Sequence, residues 1–224
     1  QYVAIPSGVD TAALAASAPD RPTARRALGL PADAAVIVGV GRLVPVKGFD
    51  VLVAALPKVG AAVPSARLLL VGDGPERPAI ESLARGLGVA DRLTVTGARS
   101  DVTPYLAAAD VLAAPSRNEG MGRVLIEAMA LGVPVVAARV GGIPSVLGGG
   151  RFGRLVEPDA PDAMADALTA LLGDPALRVQ LAEAGRRRAG DFTVEVMTSR
   201  LIRLYEELAE ARFLGVVRET RGIE

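Results

Sequence analysis

Along the chain, short apolar runs that end in Gly or Pro alternate with stretches of helical spacing. Residues 35–41 (AVIVGVG) read as a strand, and residues 49–63 as a helix interrupted at Pro57. Residues 66–72 (ARLLLVG) predict a second strand, followed by a helix over 75–87. Residues 92–97 (RLTVTG) predict a third, followed by a short helix over 102–109. Residues 111–115 predict a fourth, with a helix from about 122 to 131. Residues 134–138 predict a fifth, with a short helix near 143–147, and residues 154–156 a short sixth.

These runs show no polar alternation. Strands read that way when helices cover both faces, as in a parallel sheet. Alternating βα units predict a doubly wound, Rossmann-like α/β fold of about six strands with right-handed crossovers. Ligands of such sheets bind beyond the carboxyl ends of the strands. The last third differs. Residues 159–172, 176–189 and 193–213 read as successive helices, with Pro161 and Pro175 near helix starts. The whole chain reads as one domain: a lead-in over 1–30, an α/β core over 31–158 and carboxyl-terminal helices over 159–224.

Composition narrows the chemistry. The chain has 25 basic and 25 acidic side chains, only 3% aromatics, and no His, Cys or Trp. Balanced charge and few aromatics argue against nucleic acid as the main partner. The missing Cys and His exclude a disulfide scaffold, a thiol nucleophile, a His general base and His- or Cys-ligated zinc. No apolar run is long enough to span a bilayer, and no signal peptide is evident. The chain opens with Gln1 rather than Met, which reads as a piece of something longer.

The candidate chemistry lies in the loops after predicted strands. After the first come Arg42 and Lys47, and Lys47 is one of only two lysines, with Lys58. A planar guanidinium beside a compact ammonium can clamp two phosphates, though both could be solvated loop charges. A dinucleotide fingerprint fails there because Val44 stands where a small residue is needed, and a Walker loop fails because Gly48 follows Lys47. After the second strand, Asp73 of Gly72-Asp73-Gly74-Pro75 is expected to cap the next helix. After the fourth, Gly120-Met121-Gly122-Arg123-Val124 opens into a helix, so the N–H groups of residues 122–125 are expected to form an anion site. Glu119 precedes that helix, and Glu127 sits in its otherwise apolar second turn. Glu127 is either solvent-facing or held by specific donors such as sugar hydroxyls.

With GRLVPVKG and VGDGP before it and GVPVVAARVGGIP after it, the segment EGMGRVLIEAMA resembles the carboxyl-terminal domain of retaining GT-B glycosyltransferases of the family 4, group 1 type. The likeness runs from IPSGVD, similar to the family's interdomain segment, to the last helix. It implies a donor-binding domain of a bacterial, cytoplasmic hexosyltransferase. Arg42 and Lys47 would neutralise the donor diphosphate, with backbone N–H groups around Gly122, Arg123 and Val124 completing the cradle. Glu127 would take the ribose hydroxyls, Glu119 and the backbone amides that follow it the transferred sugar, with Met121 among the binding residues, while the base would lie along Gly97 and Arg99. Glu119, Arg42 and Lys47 are thus the expected catalytic set. The donor would be a UDP-sugar by default, with no cofactor and no metal, since the DxD motif is absent. Ser145 and Ser7 depart from the family's usual Glu and Asn. The resemblance also implies a missing amino-terminal acceptor domain, so the chain alone is expected to bind donor without efficient transfer. It leaves open peripheral membrane association of the full enzyme. The last helix is expected to expose an apolar stripe (Leu201, Leu204, Tyr205, Leu208) where that domain would sit. A non-catalytic nucleotide-binding module and a GT-B nucleotide-sugar epimerase relative are the alternatives. A phosphorylase is disfavoured because neither Lys47 nor Lys58 has a pyridoxal-site context.

Overall fold

The computed structural model describes residues 3–220. Six strands, β1 (Ala35–Val40), β2 (Ala66–Val71), β3 (Leu93–Val95), β4 (Val111–Ala114), β5 (Val135–Ala138) and β6 (Arg154–Val156), form one sheet in the order β3-β2-β1-β4-β5-β6. Every pair is parallel, and β1 sits centrally, with Ile37 opposite Leu68 on β2 and Val111 on β4. The doubly wound reading holds.

Alternate strand residues enter two separate cores, which is why no polar alternation shows in the sequence. Ile37, Leu68, Leu70, Val111 and Val136 point to one face, against helices α3 (Phe49–Ala62), α4 (Arg77–Gly86) and α8 (Pro161–Gly173). Val36, Val38, Leu69, Leu112 and Val135 point to the other, against α5 (Thr103–Ala108), α6 (Arg123–Ala130) and α7 (Ile143–Val146). Helices α9 (Pro175–Ala189) and α10 (Val194–Thr220) complete the last third.

Two expectations need correction. Helix α3 is not broken at Pro57 but runs through it. A missing N–H and a ring clash cost about 3 kcal/mol. Phe49, Leu52, Val53, Leu56 and Val59 all bury in one core, and a single such side chain contributes about 1.5–3 kcal/mol. Asp73 does not cap α4. That helix starts at Arg77 without a side-chain cap, and Asp73 instead accepts from the N–H of Gly74 at 2.8 Å and pairs with Arg77 at 3.3 Å. The lead-in is helical in part. It holds α1 (Thr11–Ser17) and α2 (Arg21–Ala27), capped by Asp10 and Asp20, whose carboxylates accept from the N–H groups of Ala13 and Thr23.

At the amino ends of the strands lies a closed ionic centre. Asp110, 7% exposed, accepts from the N–H of Val36 at 2.7 Å, from Arg25 at 2.7 Å and from Arg21. Arg25, equally buried, also donates to the carbonyls of Ala108 and Ala32. These contacts tie α2 to the roots of β1 and β4. The amino-terminal segment is fixed to α10 as well: Val9 bridges Thr193 and donates to the carbonyl of Phe192 at 2.9 Å. On α10, Tyr205 and Leu208 are exposed together with Ile202, whereas Leu201 and Leu204 are half-buried, so the expected stripe is only partly open.

Candidate functional site

In this sheet β1 leads to α3 on one face and β4 leads to α6 on the other. The chain direction diverges there, and a crevice opens beyond the carboxyl ends of β1 and β4. The β1 loop turns through one 3-10 turn, Pro45–Lys47, and enters α3 at Gly48, whose φ is +65°. A Cβ there would lie 2.2 Å from the carbonyl oxygen of Pro115, so the two loops touch backbone to backbone. This closeness brings Lys47 Nζ to 2.5 Å from Glu119 Oε2. Both side chains are largely shielded, at 28% and 20% exposure.

Helix α6 begins after Gly122 without a side-chain cap. The N–H of Leu125 donates to the carbonyl of Gly122 at 2.8 Å, so it is not available to an anion, contrary to expectation. The tight Gly122 turn takes that donor. The N–H groups of Arg123 and Val124 find no acceptor among the described residues. Glu119 is held from below by a glycine pair that the sequence reading passed over. Gly142 donates to the Glu119 carbonyl at 3.0 Å, and a Cβ on Gly141 (φ +51°) would meet that oxygen at 1.9 Å. Only a residue without a side chain fits there.

The remaining predicted residues divide between neighbouring places. Arg42 is exposed and has no side-chain partner among the described residues. It lines a crevice of about 230 Å³ with Gly41, Gly72, Asp73, Arg99 and Val102. Gly97 adjoins it, pairing its carbonyl with the N–H of Gly72 at 3.0 Å, and Arg99 donates to the carbonyl of Thr96 at 2.8 Å. Lys47, Glu119, Gly122 and Val124 line a smaller recess, and Val40 borders both hollows. Met121 packs its side chain on the second core. Glu127 is only 16% exposed and lies 3.3 Å from the exposed guanidinium of Arg123, within α6. It is not freely solvated, and the donor that engages it is a guanidinium of its own helix.

Arg117, two residues before Glu119, had no assigned part. Its guanidinium forks onto Asp50 at 2.7 and 2.9 Å, reaches Asp159 at 2.7 Å and donates to the carbonyl of Pro45 at 2.6 Å. The hydrogen bonds from Arg117 hold the Asp50 carboxyl below the usual carboxylate range, and Asp50 in turn pushes the Arg117 guanidinium further up. Asp50 was invisible as a partner because it lies 67 residues away in sequence.

Residues 20–188 match the family model for glycosyl transferases group 1. The chain belongs to the group 1 glycosyltransferases. A D-inositol 3-phosphate glycosyltransferase of Segniliparus rotundus is 37% identical over 97% of this chain and 49% of its own length. A GDP-mannose-dependent alpha-(1-6)-phosphatidylinositol monomannoside mannosyltransferase of Mycolicibacterium smegmatis is 38% identical over 93% of this chain and 57% of its own. Among solved structures, Anabaena Alr3699/HepE in complex with UDP is 28% identical, with a TM-score of 0.82, over 89% of this chain and 56% of that one. The chain thus spans about half the length of the curated relatives it matches, as a carboxyl-terminal GT-B domain would. No helix among the described residues is long and apolar enough to cross a membrane.

Proposed function

We propose that this group 1 glycosyltransferase domain binds the nucleotide-sugar donor of a retaining, metal-independent transfer, with a UDP-sugar as the default donor. The observation that carries the reading is the Lys47–Glu119 pair beside the open amino end of α6 at the β1/β4 switch point, with Arg42, unpartnered among the described residues, in the adjoining crevice. A diphosphate there meets two cations and two backbone donors. It draws Lys47 away from Glu119, which leaves that carboxylate to accept from sugar hydroxyls. As the sugar–phosphate bond breaks, negative charge grows on the diphosphate. Fixed cations and helix-end amides stabilise that charge without reorganising. Among the described residues no three carboxylates are grouped to hold a cation, and Arg42 and Lys47 take over the neutralising role in this reading.

Glu127 serves the ribose once Arg123 swings away, and the crevice beside Gly97 and Arg99 takes the base. The Anabaena protein was solved with UDP, whereas the Mycolicibacterium relative is named for GDP-mannose. Titrating the chain with UDP, GDP and ADP decides the base. The acceptor side lies outside this domain in the proposal, so the chain binds donor but does not transfer. Sugar transfer by the isolated chain at the rate of a full-length relative would refute that division.

A further inference from the structure

Arg117 holds the two halves of the candidate site in register. Its own N–H donates to the carbonyl of Val46 at 2.8 Å, and its Nη1 donates to the carbonyl of Pro45 at 2.6 Å. Both carbonyls belong to the turn that ends at Lys47. The guanidinium then braces against Asp50 in the first turn of α3 and Asp159 beyond β6. Asp159 is the one described non-glycine residue with a left-handed backbone, φ +54°, and such a conformation persists only where the surroundings enforce it. Three loops at the carboxyl end of the sheet therefore meet on one side chain. That side chain is only two residues from Glu119 in sequence. At 33% exposure, and with a planar fork filled on both edges, Arg117 is preorganised rather than free.

We infer that Arg117 is a positioning residue for donor binding: it fixes the Lys47 turn against the Glu119 loop so that the phosphate clamp is built before the ligand arrives. Arg117 does not touch the diphosphate itself. The inference rests on the donor-site reading above. A clamp residue left to order itself on binding costs affinity.

The test is calorimetric titration of UDP into the 224-residue chain carrying Lys47→Ala, Arg117→Ala, Arg117→Lys or the Lys47→Ala/Arg117→Ala pair. Uridine, followed by NMR, serves as the phosphate-free probe. Arg117→Ala should raise the Kd for UDP roughly three- to tenfold and leave uridine binding unchanged. Arg117→Lys should fall between the wild type and Arg117→Ala, because an ammonium cannot span both carboxylates and the Pro45 carbonyl. In the Lys47→Ala background the same change should have almost no further effect on UDP. Asp50→Asn, which keeps the shape and weakens the fork, should move UDP affinity in the same direction by less, and it stands in if Arg117→Ala does not fold. Four results would overturn the inference. If Arg117→Ala leaves UDP binding intact while Lys47→Ala weakens it, the donor site stands and Arg117 is not its brace. Equal losses for UDP and uridine, or full additivity with Lys47→Ala, mean that Arg117 acts on the fold at large. An intact UDP affinity in Lys47→Ala removes the clamp itself, and the positioning role with it.

Discussion

The two ends of the sheet each hold a carboxylate against basic side chains, yet they are built to opposite purposes. At the amino ends, Asp110 and Arg25 are both 7% exposed, and the donors of Arg25 are taken by Asp110 and two carbonyls. A cavity of about 660 Å³ opens beside them, but its guanidiniums already face Asp110, the Thr23 hydroxyl or backbone carbonyls. At the carboxyl ends, the Lys47–Glu119 pair is partly exposed, and among the described residues Arg42 is unpartnered and α6 keeps open N–H groups. A saturated ionic centre fixes a fold, while an unsaturated one is ready for a ligand. Neither cavity size nor the number of charges separates the two. What separates them is the state of each donor.

The sharpest way to break this contrast is Asp110→Ala. It strands Arg25 without its counter-charge, and breaking a buried pair typically costs about 3–5 kcal/mol. Denaturant unfolding should show that loss, whereas UDP affinity of the folded fraction should stay at the wild-type value. A stable Asp110→Ala variant with impaired nucleotide binding would invert the assignment of the two ends.

Next in size is the phosphate clamp. Arg42→Ala or Lys47→Ala should weaken UDP binding by roughly 1.5–3 kcal/mol, the range for charge-assisted contacts. For Arg42→Ala, unfolding free energy should move by no more than about 0.5 kcal/mol, as for other surface substitutions. Destabilisation well beyond that would place Arg42 with Asp110 rather than opposite it.

Glu127→Gln tests the edge of the site. It should cost about 1–2 kcal/mol for a ribonucleoside diphosphate and narrow the preference over the 2′-deoxy form. Equal affinity of the wild-type chain for UDP and 2′-deoxy-UDP would return Glu127 to its ion pair with Arg123.

The smallest effect concerns acid. Asp50 has a folded pKa held below that of the free carboxylate, so its contribution is fully present above the ordinary carboxylate range. It is lost as pH falls below that range and through the depressed folded value. Asp50→Asn should therefore narrow the stability gap between neutral pH and the acid limb of a pH-dependent melting series. An unchanged acid limb would show that the Arg117 fork carries no net stability.

Much of this was legible in the sequence, for reasons that also explain the rest. Strands buried on both faces write themselves as unbroken apolar runs such as AVIVGV and ARLLLV. The order of the loops then located Arg42, Lys47, Glu119 and Glu127. Long-range polar pairing leaves no such trace. Asp110 looks like any acidic residue before a strand, and its partners Val36 and Arg25 lie 74 and 85 residues away. Arg117 and Asp50 are hidden in the same way. The support of Glu119 by Gly141 and Gly142 is a backbone contact between loops, which no spacing rule announces. Pro57 misled because a local rule was outweighed by burial of the helix around it.

The central claim is that cations of this chain, without a metal, hold a nucleoside diphosphate at the β1/β4 crevice. Calorimetric titration of UDP into the wild-type chain and into Lys47→Ala, both in excess EDTA, tests it most directly. The account predicts saturable binding by the wild type that is unaffected by the chelator and is weakened at least tenfold in the variant, the equivalent of about 1.4 kcal/mol. Binding that appears only when Mg2+ or Mn2+ is restored, or that is equal in the two proteins, would contradict it.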